Sequence, residues 1–195
     1  WLTENVFNYI KKDYNKAIEL NPNDADYYYF RGFAKRKLEQ YEEAIKDYDK
    51  AIELNPNDAD FYCDRGLTKR LLKQNEESIK DYNKAIELNP NDASLYYGRA
   101  FPKENLRQYE EAIKDYDKAI ELDPNDADYY CNRGILKMDM EQYEEARKDY
   151  SKAIEINPND ADFYYNLGNA NRKLKQYEEA IKYYNKAIEL NSEES

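Results

Sequence analysis

The chain has 195 residues and a formal charge of −11, with 41% apolar and 36% charged residues, and its mean hydropathy is −1.16. The 22 tyrosines, with Ile and Leu spread evenly, exclude a disordered chain. The acids alternate with Lys, so the charge is a solvated face, and a pI near 4.7 leaves no basic patch for nucleic acid.

Taken from the start, residues 7–22 read as one amphipathic helix ending on Asn21-Pro22. Residues 25–58 hold two helical stretches, expected over Asp26–Leu38 and Glu42–Leu54, with a short turn near Glu39-Gln40-Tyr41. Asn55-Pro56-Asn57-Asp58 stops the second helix, and Asn57 or Asp58 caps the next one. The pattern then recurs. Pro22, Pro56, Pro90, Pro124 and Pro158 are each 34 residues apart, and only Pro102 is off that comb. A strict period of this size means stacked supersecondary units. The units are 25–58, 59–92, 93–126, 127–160 and 161–194, preceded by a half unit over 1–24. Short turns make antiparallel helix neighbours, so the class is all-α, a solenoid of helix pairs. The chain starts and stops on a second helix, which suggests a piece of a longer protein.

Gly32, Gly66, Gly134 and Gly168 hold the same spacing inside first helices, opposite Ala44, Ser78, Ala146 and Ala180. Small opposite small predicts close helix approach. Together with Tyr28, Tyr48 and Pro56 in the first unit, and Tyr164, Tyr165, Leu167 and Tyr184 in the fifth, these residues resemble the tetratricopeptide repeat. The resemblance covers 7–194. It implies a right-handed superhelix with a concave groove lined by the first helix of each unit, and a protein-binding role.

Comparing the copies separates framework from variable surface. Second helices repeat Tyr-Glu-Glu-Ala-Ile-Lys-Asp-Tyr with few changes, whereas the second halves of the first helices differ. Four units carry Arg before the glycine position (Arg31, Arg65, Arg99, Arg133), Asp in the second helix (Asp47, Asp81, Asp115, Asp149) and Lys (Lys35, Lys69, Lys103, Lys137). The fifth changes all three together, to Leu167, Tyr183 and Asn171. Joint change predicts an Arg–Asp pair inside each unit, replaced once by a Leu–Tyr contact. Pro102 removes a helical hydrogen bond to the carbonyl of Gly98 and predicts a kink over 98–102.

Candidate groove residues form two rows. One is Tyr29, Cys63, Tyr97, Cys131 and Tyr165; the other is Phe33, Leu67, Phe101, Ile135 and Asn169. Asp26, Asp60, Asp128 and Asp162 supply an acidic edge, and Arg36, Arg70 and Arg172 a basic one. Aromatic rows rimmed by charge suit a peptide or a helical segment. The early acids argue against the family's carboxylate-clamp type of co-chaperone. The alternative is self-assembly through the terminal helices, one led by Trp1, Val6 and Phe7.

No chemistry is expected. Histidine is absent, so the commonest general base and metal ligand are missing. Two cysteines without a third thiol make a zinc site improbable, and no glycine loop cradles phosphate. Cys63 and Cys131 lie two units apart, on the order of 20 Å for stacked helices, too far for a disulfide. Free thiols, with no apolar run of membrane-spanning length and no visible signal segment, suggest the cytoplasm. No catalytic residue, metal, cofactor, nucleic acid or membrane is therefore anticipated; the partner is a protein, with homo-oligomerisation as the open alternative.

Overall fold

The computed structural model describes residues 2–193, and among them there are eleven α-helices and no strand. They are α1 (Leu2–Leu20), α2 (Ala25–Lys37), α3 (Tyr41–Leu54), α4 (Ala59–Leu71), α5 (Asn75–Leu88) and α6 (Ala93–Asn105), then α7 (Tyr109–Leu122), α8 (Ala127–Asp139), α9 (Tyr143–Ile156), α10 (Ala161–Lys173) and α11 (Tyr177–Glu193). The sequence expectation for the first pair, 26–38 and 42–54, is met within one residue. The chain forms two compact units, Trp1–Leu106 and Arg107–Ser195.

Each first helix begins for the same chemical reason. Asp24, Asp58, Asp92, Asp126 and Asp160 are N-caps, and each side chain accepts the backbone N–H two residues on. Such a cap is worth about 1 kcal/mol. Of the two candidates at the first junction, Asp58 is the cap, and Asn57 instead donates its N–H to Asn55 Oδ1. Tyr28, Tyr62, Tyr96 and Tyr130 tie the loop down by donating a hydroxyl to the carbonyls of Pro22, Pro56, Pro90 and Pro124. At the end of the last pair Ser192 stands where the other junctions have proline, and α11 runs on to Glu193.

First helices end on a residue in the left-handed region. Glu39, Lys73, Arg107, Glu141 and Lys175 have φ of 59 to 62°. In the first turn Glu39 N–H donates to Arg36 O and Gln40 N–H to Lys35 O, at 3.0 and 2.9 Å, which closes a Schellman motif. The turns at Lys73, Glu141 and Lys175 repeat it. None of the five is glycine, so each carries a steric cost of roughly 1–2 kcal/mol.

Within Trp1–Leu106 each helix packs on the next from α1 to α6, apart from the pairs' outer faces; within Arg107–Ser195 the same holds from α7 to α11. There is also contact between successive first helices, α2 with α4, α4 with α6, and α8 with α10. Successive second helices within a unit show no comparable contact among the described residues. First helices therefore share one crowded face in each unit. The core between pairs is built from Ala44, Ala51, Ala85, Ala146 and Ala153 beneath the rings of Tyr48, Tyr82 and Tyr150.

The first-helix glycines answer to those rings as much as to small residues. A Cβ on Gly32 would meet Tyr48 at 2.9 Å, on Gly134 Tyr150 at 2.8 Å, and on Gly168 Tyr184 at 2.6 Å. At Gly98 the ring is that of the preceding repeat: a Cβ there would meet Tyr82 at 2.6 Å. The helix α6 runs from Ala93 to Asn105 through Pro102, which is fully buried.

Candidate functional site

In the unit Trp1–Leu106, the sequence-predicted rows fall on the faces of α2, α4 and α6. Tyr29 packs against Phe61 at 5.0 Å and Tyr48 at 6.0 Å between ring centroids. It is thus partly a packing residue. Burial, then the neighbouring Asp64, push its phenol pKa upward. Phe33 meets Phe7 of α1 edge-on at 6.2 Å and lies under Arg36, whose guanidinium carbon is 5.0 Å from the ring centre. Arg70 stands 5.2 Å over the Phe101 ring, and Tyr97 meets Phe101 edge-on at 4.9 Å. Leu67 is half-buried. Two arginines thus sit on two aromatic rings, an arrangement worth about 0.5–2 kcal/mol per pair depending on exposure.

The basic edge is not a row of free charges. Arg36 Nη2 donates to Asp64 Oδ1 of the next first helix at 3.2 Å. Asp64 was missed by sequence reasoning. Its counterparts Phe30, Gly98, Asn132 and Asn166 share no chemistry with it, so the column carried no signal. Two buried polar atoms here, Arg36 Nε and Arg70 Nε, have no hydrogen-bond partner among the described residues. Leaving such a group unpaired costs about 1–3 kcal/mol.

In the unit Arg107–Ser195 the rows fall on α8 and α10. Cys131 is buried among Tyr150, Phe163 and Leu167, so it belongs to the core. Ile135 and Tyr165 are exposed at 41% and 54% and available to a ligand. Asn169 accepts the Tyr184 hydroxyl at 2.9 Å. Arg172 is exposed.

Both cysteines are free thiols. Burial, then Asp64, Asp60 and Asp92, push Cys63 up to about 12. Burial lifts Cys131 to about 11, although the Asn166 amide donates to its Sγ at 3.6 Å. Neither supplies a thiolate near neutral pH. The acidic edge is self-repelling: burial, then Asp58, Asp64 and Asp92, raise the Asp60 pKa, and burial, then Asp126 and Asp160, raise that of Asp128. No helix among the described residues is long and apolar enough to cross a membrane.

The Arg–Asp pairing read from sequence is present. Arg31 donates from Nε and Nη2 to both oxygens of Asp47, Arg65 to Asp81, and Arg133 to Asp149, at 2.5–2.9 Å. Lys35, Lys69 and Lys137 reach the same three carboxylates at 2.7 Å. Burial works against the Arg65 and Arg133 charges, yet the paired carboxylates hold both pKa values above the ordinary arginine value. In the fifth pair Leu167 is buried, Tyr183 packs against the same core, and Asn171 donates to the carbonyl of Leu167. A second bond went unread in the sequence. The remaining Nη1 of each Arg donates to the preceding repeat: Arg31 to Asn15, Arg65 to Asp49, Arg99 to Asn83 and Arg133 to Asp117.

Comparison with known proteins agrees with this architecture. The chain superposes on a crystal structure of MamA with a TM-score of 0.78 at 26% identity, covering 84% of this chain and 95% of that one. It superposes on YrrB, described as a TPR protein with an unusual peptide-binding site, with a TM-score of 0.72 at 26% identity and 91% coverage of both. A MamA from Desulfovibrio magneticus RS-1, at 21% identity with 87% and 96% coverage and a TM-score of 0.79, shares the fold. No curated protein sequence matches the chain. A family model for the TPR repeat matches residues 32–72, 68–101, 107–140 and 136–175, and two tetratricopeptide repeat models match 161–194 and 13–46. With helix pairs, capped junctions and glycine-on-tyrosine packing all repeating on the same period, the chain belongs to the tetratricopeptide repeat family.

Proposed function

We propose that this protein is an interaction scaffold, and that a peptide or helical segment of another protein binds along its first helices. One observation carries the reading: among the described residues of each unit, successive first helices contact one another more closely than successive second helices do, which supports first helices as the inner face. That face also holds the side chains that differ between repeats, while second helices are near copies. Rings topped by Arg36 and Arg70 lie there too. The likeness to YrrB supports a peptide as ligand.

Charge narrows the ligand. Asp60 and Asp128 already repel neighbouring carboxylates, so an anionic peptide terminus is disfavoured at that edge and basic side chains are favoured. Peptides selected against the whole protein from a random display library test this. Enriched sequences should be net basic with an aromatic or aliphatic anchor. Binding should fall about tenfold or more on Phe33→Ala with Leu67→Ala, or on Ile135→Ala with Tyr165→Ala. Unchanged binding by both double variants would remove the groove assignment.

A further inference from the structure

Arg36 and Arg70 hold equivalent places in the last turns of α2 and α4, yet only Arg36 is neutralised. Its Nη2 donates to Asp64 of the next first helix at 3.2 Å. The residue that stands to Arg70 as Asp64 stands to Arg36 is Gly98. An acid there would collide: a Cβ on Gly98 would lie 2.6 Å from the Tyr82 ring and 2.9 Å from its hydroxyl oxygen, and Tyr82 is itself buried. Burial raises the pKa of that phenol, so the group beside Gly98 is neutral near pH 7.

Arg70 is therefore a cation without a counter-ion. Among the described residues its side chain makes no ion pair and no hydrogen bond, and its guanidinium carbon stands 5.2 Å over the Phe101 ring. The residue is half-buried. A guanidinium so placed has lost part of its hydration and gained no carboxylate in return. Its planar fork matches a carboxylate through two parallel hydrogen bonds. Asp60 lies in the first turn of the same helix. At the α-helical rise, positions 60 and 70 are roughly 15 Å apart, so one helix carries an unanswered charge of each sign at its two ends.

Resting on the groove reading above, we propose that Arg70 selects an acidic side chain of the ligand. The bound segment sets an Asp or Glu against Arg70 and a Lys or Arg toward Asp60, with the two charges roughly 15 Å apart. Arg36 makes no such demand, because Asp64 already answers it. The ligand's acid does at the second junction what Asp64 does at the first, and this single acid leaves the ligand net basic.

The probe is a random linear peptide library displayed through its C-terminus, so that no free terminal carboxylate is present. It is selected in parallel on the whole protein and on the Arg70→Glu variant. The parent should enrich an Asp or Glu at a fixed place, and the variant a Lys or Arg at that place. A synthetic, C-terminally amidated peptide of the parent consensus is then titrated by fluorescence anisotropy. Replacing its acid by the matching amide should weaken binding about tenfold on the parent protein and less than about twofold on Arg70→Gln. Unchanged circular dichroism of both variants excludes a folding defect. A consensus without a fixed acid, an equal loss on parent and Arg70→Gln, or binding that requires a free C-terminal carboxylate overturns the inference. If Phe33→Ala with Leu67→Ala weakens the consensus peptide while the Arg70 variants leave its acid preference unchanged, the groove stands and the role of Arg70 falls. If that double variant also has no effect, both fall.

Discussion

The second and fifth repeats solve one packing problem with opposite chemistry. In the second, Arg65 and Lys69 converge on Asp81, whose side chain is 6% exposed. In the fifth, Leu167 lies in a core that Tyr183 packs against, and Asn171 donates to a backbone carbonyl of its own helix. In both, a first-helix glycine faces the ring of a second-helix tyrosine, Tyr82 or Tyr184. The difference teaches that the ion triad is a replaceable unit, exchanged as a set. Buried ion pairs behave this way because desolvation offsets most of their attraction, while an orphaned charge bears desolvation alone.

The comparison breaks or sharpens by exchange. Asp81→Ala, which strands Lys69 and leaves Arg65 only its outer partner Asp49, should destabilise by about 3 kcal/mol in urea melts. Moving the fifth repeat's set into the second, Arg65→Leu with Lys69→Asn and Asp81→Tyr, should lie within about 1 kcal/mol of the parent. Asp49 then loses its partner, but at 54% side-chain exposure it is solvated. If the triple variant is as unstable as Asp81→Ala, the two chemistries are not interchangeable.

Smaller effects test what the repeats share. Lys73, at φ 61°, should gain about 0.5–1 kcal/mol on replacement by Gly, read as a higher denaturation midpoint with unchanged slope. The smallest effect is at Asp60. Its folded pKa is raised, so the native state holds the proton more readily than the unfolded chain. Stability therefore falls as pH rises through the folded pKa, and the unfavourable contribution is fully present at pH 7. Asp60→Asn should raise Tm slightly at pH 7, and the two proteins should converge below the unfolded value of about 3.9. A gain that persists at pH 3 would locate its cause elsewhere.

Much of this was legible in the residues because the chain contains its own alignment. The proline comb placed the helices, and joint replacement of Arg, Asp and Lys by Leu167, Tyr183 and Asn171 disclosed a contact. What escaped had no such signature. Left-handed turns at Glu39, Lys73 and Lys175 lack the glycine that announces them. Gly98 sits beside Tyr82 of the preceding repeat, where its column neighbours follow other rules. Of the two groove rows, exposure of Ile135 and Tyr165 and burial of Cys131 depend on how tightly successive helices close, which periodicity does not encode.

The outward Nη1 bond of each ladder arginine has a mechanical consequence. Arg65 and Arg133 are anchored inwardly to carboxylates shielded from solvent, and outwardly to Asp49 and Asp117, which are each 54% exposed. Dissolved ions screen the outer bond and hardly reach the inner one. Salt therefore weakens the bond that links neighbouring hairpins more than the bond inside each hairpin, so ionic strength acts first on the contacts between repeats.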